Sequence, residues 1–421
     1  MKTARRIVDF DDATFDPFAT VDRMVGFGEV GDPYPQFHAL HRTGTVLEGD
    51  MRAAFGLQPF PFWADYPSWI VLGYETVARV LGDAETFSSA IKQRFYKDSF
   101  GDSIAGMDAP DHAQYRRLFQ KAFLPQTVAR WGNELVPRVV GSLIDAFADR
   151  GYADLVSEFT ALYPFRVVYG QLHLPAEDRA VFHKLAVGTT CIVDYAHTLE
   201  ASRKLGDYFT AMLQERRSIL ERGAASADDD LIGLLAVAEV DGERLPDEIA
   251  VSFLRQLMAA AGDTTYRGTG SLLAGLLTHP EQLEAVRRDR ALVPPAIEEA
   301  LRWEPPITFE TRRAVRDVIV DGVTIPAGSK IDVVIGSANR DPAKFESPDD
   351  FNIGRRAERH LAFAYGPHVC IGQHLARLEM ARALNALLDR LPNLRLDPEK
   401  PAPRVLGLNA RSPPDIHVLF D

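Results

Sequence analysis

At 421 residues, 46% of them apolar and 25% charged, the chain can bury a large core and is too apolar for a disordered polymer. Its formal charge of −12, from 47 basic and 59 acidic residues, speaks against general nucleic-acid binding, although a local basic patch is compatible with it. The two cysteines, Cys191 and Cys370, are too few for a disulfide framework and point to a reducing compartment. The longest apolar run, 251–277, is broken by Arg255, Asp263 and Arg267 and cannot span a bilayer. Arg5 and Arg6 are followed by Asp9, Asp11 and Asp12 rather than by the apolar segment of a secretion signal, so the expected location is the cytoplasm.

In chain order, 56–68 with its three prolines reads as a loop, 69–72 as a short strand, and 75–81, after Gly73, as a helix. From Asp108 the apolar spacing turns helical. Asp108 holds the place of an N-cap, with Pro110 in the first turn. Further helices are predicted over 127–149, 176–187, 199–222 and 230–239. A long helix opens at Pro246 and Asp247 and closes at His279-Pro280. Its Ala259-Ala260-Ala261-Gly262 is a weak interior spot. A helix over 295–303 precedes strands at 318–320, 323–325 and 331–335, separated by turns at Asp321-Gly322 and Pro326 to Gly328. A polar coil, 339–359, leads to Phe363 and a last helix over 373–391. The pattern predicts a mainly α fold with a minor β region, forming one large domain. Its β-rich part lies at roughly 40–75 and 305–340 and its helical part at roughly 108–304 and 373–391.

The chemistry concentrates in Phe363-Ala364-Tyr365-Gly366-Pro367-His368-Val369-Cys370-Ile371-Gly372. A cysteine stands between two glycines on a turn that runs into a helix. Gly366 permits backbone conformations closed to other residues, and Gly372 allows close approach of a flat partner. Backbone N–H groups at such a turn favour a thiolate and predict a lowered pKa. A thiolate is the haem ligand that pushes electron density towards O–O cleavage. Cys191, without such flanks, reads as an ordinary buried residue.

The segment resembles the haem-binding signature of the cytochrome P450 family, Phe-x-x-Gly-x-His/Arg-x-Cys-x-Gly, at every position. Other motifs of that family follow in the expected order along essentially the whole chain. The resemblance implies the family's mostly helical fold with a small β-rich region. It also implies haem b as cofactor, with Cys370 as the iron ligand. His112 and Arg116, four apart on one helix face, are similar to the family's propionate clamp, joined by Arg312 and His368. Arg313, next to Arg312, points to the other face by strand alternation. Glu299 and Arg302 match the Glu-x-x-Arg motif, with Arg355 as third partner and fold support as the implied role.

Ala260-Ala261-Gly262-Asp263-Thr264-Thr265 resembles the family's oxygen-binding kink. The family's usual glycine is Ala261 here, with Gly262 one place later. An acid and a hydroxyl in an otherwise apolar helix suit a proton relay by Asp263 and Thr264. By the same resemblance, Phe95, Tyr96, Phe100, Gln256, Ala259, Ala260, Thr308, Phe309 and Leu408 face a lipophilic small molecule. The implied activity is insertion of one oxygen atom from dioxygen into that molecule, with hydroxylation as the expected outcome. Electrons would come from a ferredoxin and its NAD(P)H-dependent reductase, since the sequence shows no flavin motif and too few cysteines for an iron–sulfur cluster. Neither nucleic acid nor a membrane is an expected partner. A peroxide-using haem-thiolate enzyme and a haem-thiolate sensor are the alternatives, and the acid–threonine pair argues against both.

Overall fold

The computed structural model describes residues 6–227 and 230–421, so residues 1–5 of the amino-terminal stretch lie outside it. A five-stranded sheet is built from β1 (Val46–Glu48), β2 (Ser68–Val71), β3 (Phe87–Ser88), β4 (Glu310–Ala314) and β5 (Lys330–Val333), in the order β1-β2-β5-β4-β3. Only β2 and β5 run parallel. Central β5 is buried along its whole length. Its two charged side chains are accommodated by pairing with each other, Lys330 to Asp332 at 2.8 Å, and with Asp50.

The helical part contributes α1 (Gln93–Ser99), α2 (Asp111–Gln120), α3 (Tyr163–Gln171), α4 (Arg179–Gly188), α5 (Tyr195–Glu221), α6 (Asp247–Thr278), α7 (Val293–Trp303) and α8 (Gln373–Arg390). The long helix α6 passes through two separate apolar cores. Its first half sends Val251, Phe253, Leu254, Leu257 and Met258 into one; its last turns send Leu272, Leu273, Leu276 and Leu277 into the other. Between them the stretch 259–268 is mostly small or polar; Ala261 and Tyr266 still pack against the first core, and Ala260, Ala261, Asp263, Thr264 and Thr265 face a cavity. Each half gains about 1.5–3 kcal/mol per buried large apolar side chain, so the middle need not pack to keep the helix in place. No helix among the described residues is long and apolar enough to cross a membrane.

Several sequence expectations shift. Asp108 does not cap α2: its carboxylate accepts from the Ser88 hydroxyl and from the Ser89 N–H, tying the helix entrance to β3. Helix α3 was not predicted, because Pro164 and a run of aromatics mask it. The weak interior spot does not break α6, which is helical throughout.

Behind the sheet, Glu299 and Arg302 of α7 form a bidentate pair at 2.7 and 2.8 Å, and Arg355 adds Nε contacts at 3.1 and 3.2 Å. Arg302 also donates to the carbonyls of Asn339, Pro348 and Asp350, and Arg355 to those of Ser347 and Asp350. One buried carboxylate thus bridges two guanidinium groups that pin the coil leading to Cys370. Replacing it leaves both cations buried with carbonyls alone. Glu299→Leu is expected to cost about 3–5 kcal/mol in urea unfolding of the intact chain. A loss under about 1 kcal/mol would contradict a central role for the pair.

Candidate active site

The Cys370 loop is set by backbone geometry. The Cys370 N–H donates to the Phe363 carbonyl at 2.9 Å, and the Val369 N–H to that of Gly366 at 3.1 Å. Gly366 has φ +74°, and a Cβ there would lie 2.7 Å from the Cα of Gly82, so only glycine fits. The loop delivers Cys370 deep inside the protein, yet its side chain is open, because it faces an internal cavity of about 300 Å³. Burial pushes its thiol pKa up. The N–H of Gly372, the guanidinium groups of Arg116 and Arg377 and the N–H of Gln373 oppose that shift without overcoming it. The expected lowering is therefore corrected: desolvation outweighs the turn. Coordination to a metal deprotonates a thiol outright. Among the described residues no group of three or more His, Cys, Asp or Glu forms a metal cluster.

Across the cavity stand Ala260, Ala261 and Thr264 of α6, and at its edge are Lys92, His112, Arg116, Arg312 and His368. The imidazoles of His112 and His368 lie 4.0 Å apart between ring centres. Burial and the neighbouring His112, Arg312, Lys92 and Arg116 push the His368 pKa down to about 2, and its Nε2 is buried without a hydrogen-bond partner. Arg116 has no carboxylate within ion-pair distance among the described residues. Lys92 and Arg312 share the single carboxylate of Glu310. The edge therefore holds surplus positive charge and an unmet donor, and it fits a flat ligand that brings two carboxylates, as haem does. Arg313 does not line the cavity, in keeping with strand alternation.

Lys92 and Glu310 were not picked out by sequence. Nor was Glu379 of α8, which lines the cavity with an unpartnered buried oxygen; burial pushes its pKa well above the carboxylate range. Only their contacts reveal them, since a lysine, two glutamates and no motif carry no signal.

A second chamber of about 370 Å³ shares Lys92, Tyr96, Gln256, Ala260, Thr264, Ile307 and Glu310 with the first, so the two are continuous. Phe95, Phe100, Ala259 and Phe309 line it as well. Thr308 and Leu408 do not. The Thr308 side chain is fully buried, with its hydroxyl donating to the Leu408 carbonyl, and Leu408 packs in the small core with Phe37 and Phe309. Ile307, Asn409 and Ala410 line the chamber beside the expected Phe309.

Thr264 lies on both chambers, its hydroxyl donating to the Ala260 carbonyl at 3.0 Å. Asp263 lines only the outer one. Its carboxylate is held by Arg267, one turn on, with Nε and Nη2 contacts of 3.0–3.1 Å. Arg267 is 1% exposed and also donates to Ser412 at 3.1 Å.

The shifted glycine has a packing cause. A Cβ at Gly262 would stand 2.3 Å from the Phe165 ring of α3.

The family model for cytochrome P450 matches residues 191–414. The chain belongs to the cytochrome P450 family. It is 32% identical to the polyketide biosynthesis cytochrome P450 PksS of Bacillus subtilis over 80% of its length and 84% of the relative's. It is likewise 32% identical to the cytochrome P450 monooxygenase PikC of Streptomyces venezuelae, over 90% of each chain. Among solved structures, cytochrome P450 CYP109Q5 from Chondromyces apiculatus superposes with a TM-score of 0.80 at 32% identity, covering 92% of this chain and 95% of that one. The protein is a haem-thiolate monooxygenase with the P450 fold.

Gly262→Ala is expected to lose about 1–3 kcal/mol of stability by overpacking, with recovery in Gly262→Ala/Phe165→Leu. Urea unfolding checks both. A single variant as stable as the parent would mean that the α3–α6 contact gives way freely.

Proposed function

We propose that the protein hydroxylates a lipophilic small molecule with dioxygen, holding haem b through Cys370 and drawing electrons from a ferredoxin and its NAD(P)H-dependent reductase in the cytoplasm. The observation that carries this reading is the single cavity onto which Cys370, Thr264, the cations Arg116 and Arg312 and the imidazoles of His112 and His368 all open. Haem bound there supplies the activation of dioxygen. The protein's own residues do the rest. Arg116, Arg312, His112 and His368 would hold the propionates, and Cys370 would supply the thiolate to the iron. The small side chains of Ala260 and Ala261 would leave room in the cavity for dioxygen and substrate.

Substrate rests against the aromatic and aliphatic lining of the outer chamber, where it excludes water. Protons must then come from the protein. The Thr264 hydroxyl, once released from the Ala260 carbonyl, donates a hydrogen bond into the cavity. Asp263 on the outer chamber recharges it. Arg267 holds the Asp263 carboxylate in place at 3.0–3.1 Å, so proton delivery requires that pair to loosen. Two cysteines are too few for a four-thiolate iron–sulfur cluster, which supports a separate electron donor, and likeness to the family makes that donor a ferredoxin.

Thr264→Ala tests the proton path. With a surrogate ferredoxin and reductase, and a lipophile chosen by its Soret shift, haem content and substrate binding should match the parent. Product per NAD(P)H should fall by at least about tenfold while hydrogen peroxide rises. Asp263→Asn should instead slow NAD(P)H consumption itself. Unchanged coupling in Thr264→Ala would place the proton path elsewhere.

A further inference from the structure

Strands β1 and β2 are antiparallel neighbours, and a loop of about two to five residues would join them. Residues 49–67 join them instead. This segment carries only a short helix, Met51–Ala54, and a 3-10 turn, Pro61–Trp63, and it lines the outer chamber. Arg52, Phe60, Phe62 and Trp63 all line it.

The rings form a continuous wall. Phe60 and Phe62 stack with centres 5.1 Å apart, Phe62 lies 5.5 Å from Phe95, and Phe95 lies 4.5 Å from Tyr96. Tyr96 is also on the inner cavity, so the wall runs from the excursion towards the space between Thr264 and Cys370.

Arg52 closes the outer end. Its guanidinium sits 4.2 Å above the Phe60 ring, with Nε donating to the Gln58 carbonyl at 2.8 Å and Nη1 to that of Met24 at 2.6 Å. Its Nη2 donates to no described residue, and no described carboxylate lies within ion-pair distance. The nearest acid in sequence, Asp50, is engaged by Lys330 and by the Ala53 N–H. A planar cation stacked on an aromatic ring, clamped by two carbonyls and lacking an anion, is arranged to receive one.

We infer that the outer chamber selects a flat aromatic or polycyclic molecule carrying a carboxylate, with the acid on Arg52 and the far end delivered towards Thr264. This rests on the monooxygenase reading above and adds the substrate class. Ring stacking supplies shape selection, and the guanidinium fixes which end enters first.

Three probes separate the contributions: 2-naphthoate, the neutral 2-naphthamide of the same shape, and decanoate, an acid without rings. Dissociation constants of the haem-loaded protein are read by Soret shift and by equilibrium dialysis. 2-Naphthoate should bind at least about tenfold more tightly than either of the others. Arg52→Gln should remove the preference for naphthoate over naphthamide and leave naphthamide binding unchanged, while Arg52→Lys should keep part of it. Arg52→Gln with the preference intact would overturn the inference, as would decanoate binding as tightly as naphthoate. Each variant should retain the thiolate band of its ferrous carbon monoxide complex. Loss of that band in Arg52→Gln would make Arg52 a structural residue and also overturn it. A parent protein without the band would instead fail at Cys370, so the two readings fail separately.

Discussion

The structure depends on keeping a sulfur and several cations open to an interior cavity without letting nearby carboxylates cancel them. Charge inside a protein is costly unless it is paired and hydrogen-bonded. Elsewhere in this fold the rule is followed closely. Glu299 answers Arg302 and Arg355, Glu304 answers Arg340 and Arg411, and Asp50 and Asp332 answer Lys330. At the cavity edge it is broken on purpose: Lys92, Arg116 and Arg312 have only Glu310 between them, and His368 has an unmet nitrogen. A ligand with two carboxylates would complete that set, and its binding would then stabilise the fold locally.

The long helix α6 shows how the cavity survives inside a packed protein. Interiors close around voids because empty space forfeits dispersion contacts. Here the ends of the helix are anchored in two different cores, and the middle is spanned rather than filled. Gly262 brings α3 close on one side of that span, while Ala260 and Thr264 stay open on the other. Asp263 and Thr264 are neighbours in sequence but open differently, Thr264 to both chambers and Asp263 to the outer one.

Much of this was legible in the sequence where a local constraint leaves a mark. Gly366 and Cys370 stand out because a turn with positive φ admits only glycine, and the 299–302 pair because a helix fixes its spacing. The long helix was legible from its terminal prolines and acids. What the sequence hid was decided by distant contacts. Asp108 had cap chemistry but is bound by Ser88 and Ser89. Thr308 and Leu408 turn into the packed interior while residues beside them line the cavity, a distinction that spacing cannot resolve. The thiol pKa ran opposite to the local expectation because burial, a property of the whole fold, outweighs the turn. Lys92, Glu310 and the aromatic excursion at 49–67 carry no motif and gain meaning only from what they face.

The central claim is that Cys370, not Cys191, is the sulfur that holds the iron. Cys191 is fully buried, with its Sγ near the carbonyls of Pro17 and Val187, and burial pushes its pKa up to about 12. The direct measurement is the Soret band of the ferrous carbon monoxide complex in Cys191→Ser and Cys370→Ser, since only a thiolate opposite carbon monoxide produces the strongly red-shifted form. The account predicts that Cys191→Ser keeps the red-shifted band and Cys370→Ser loses it. A Cys370→Ser protein that keeps the band, with Cys191→Ser losing it, would contradict the account.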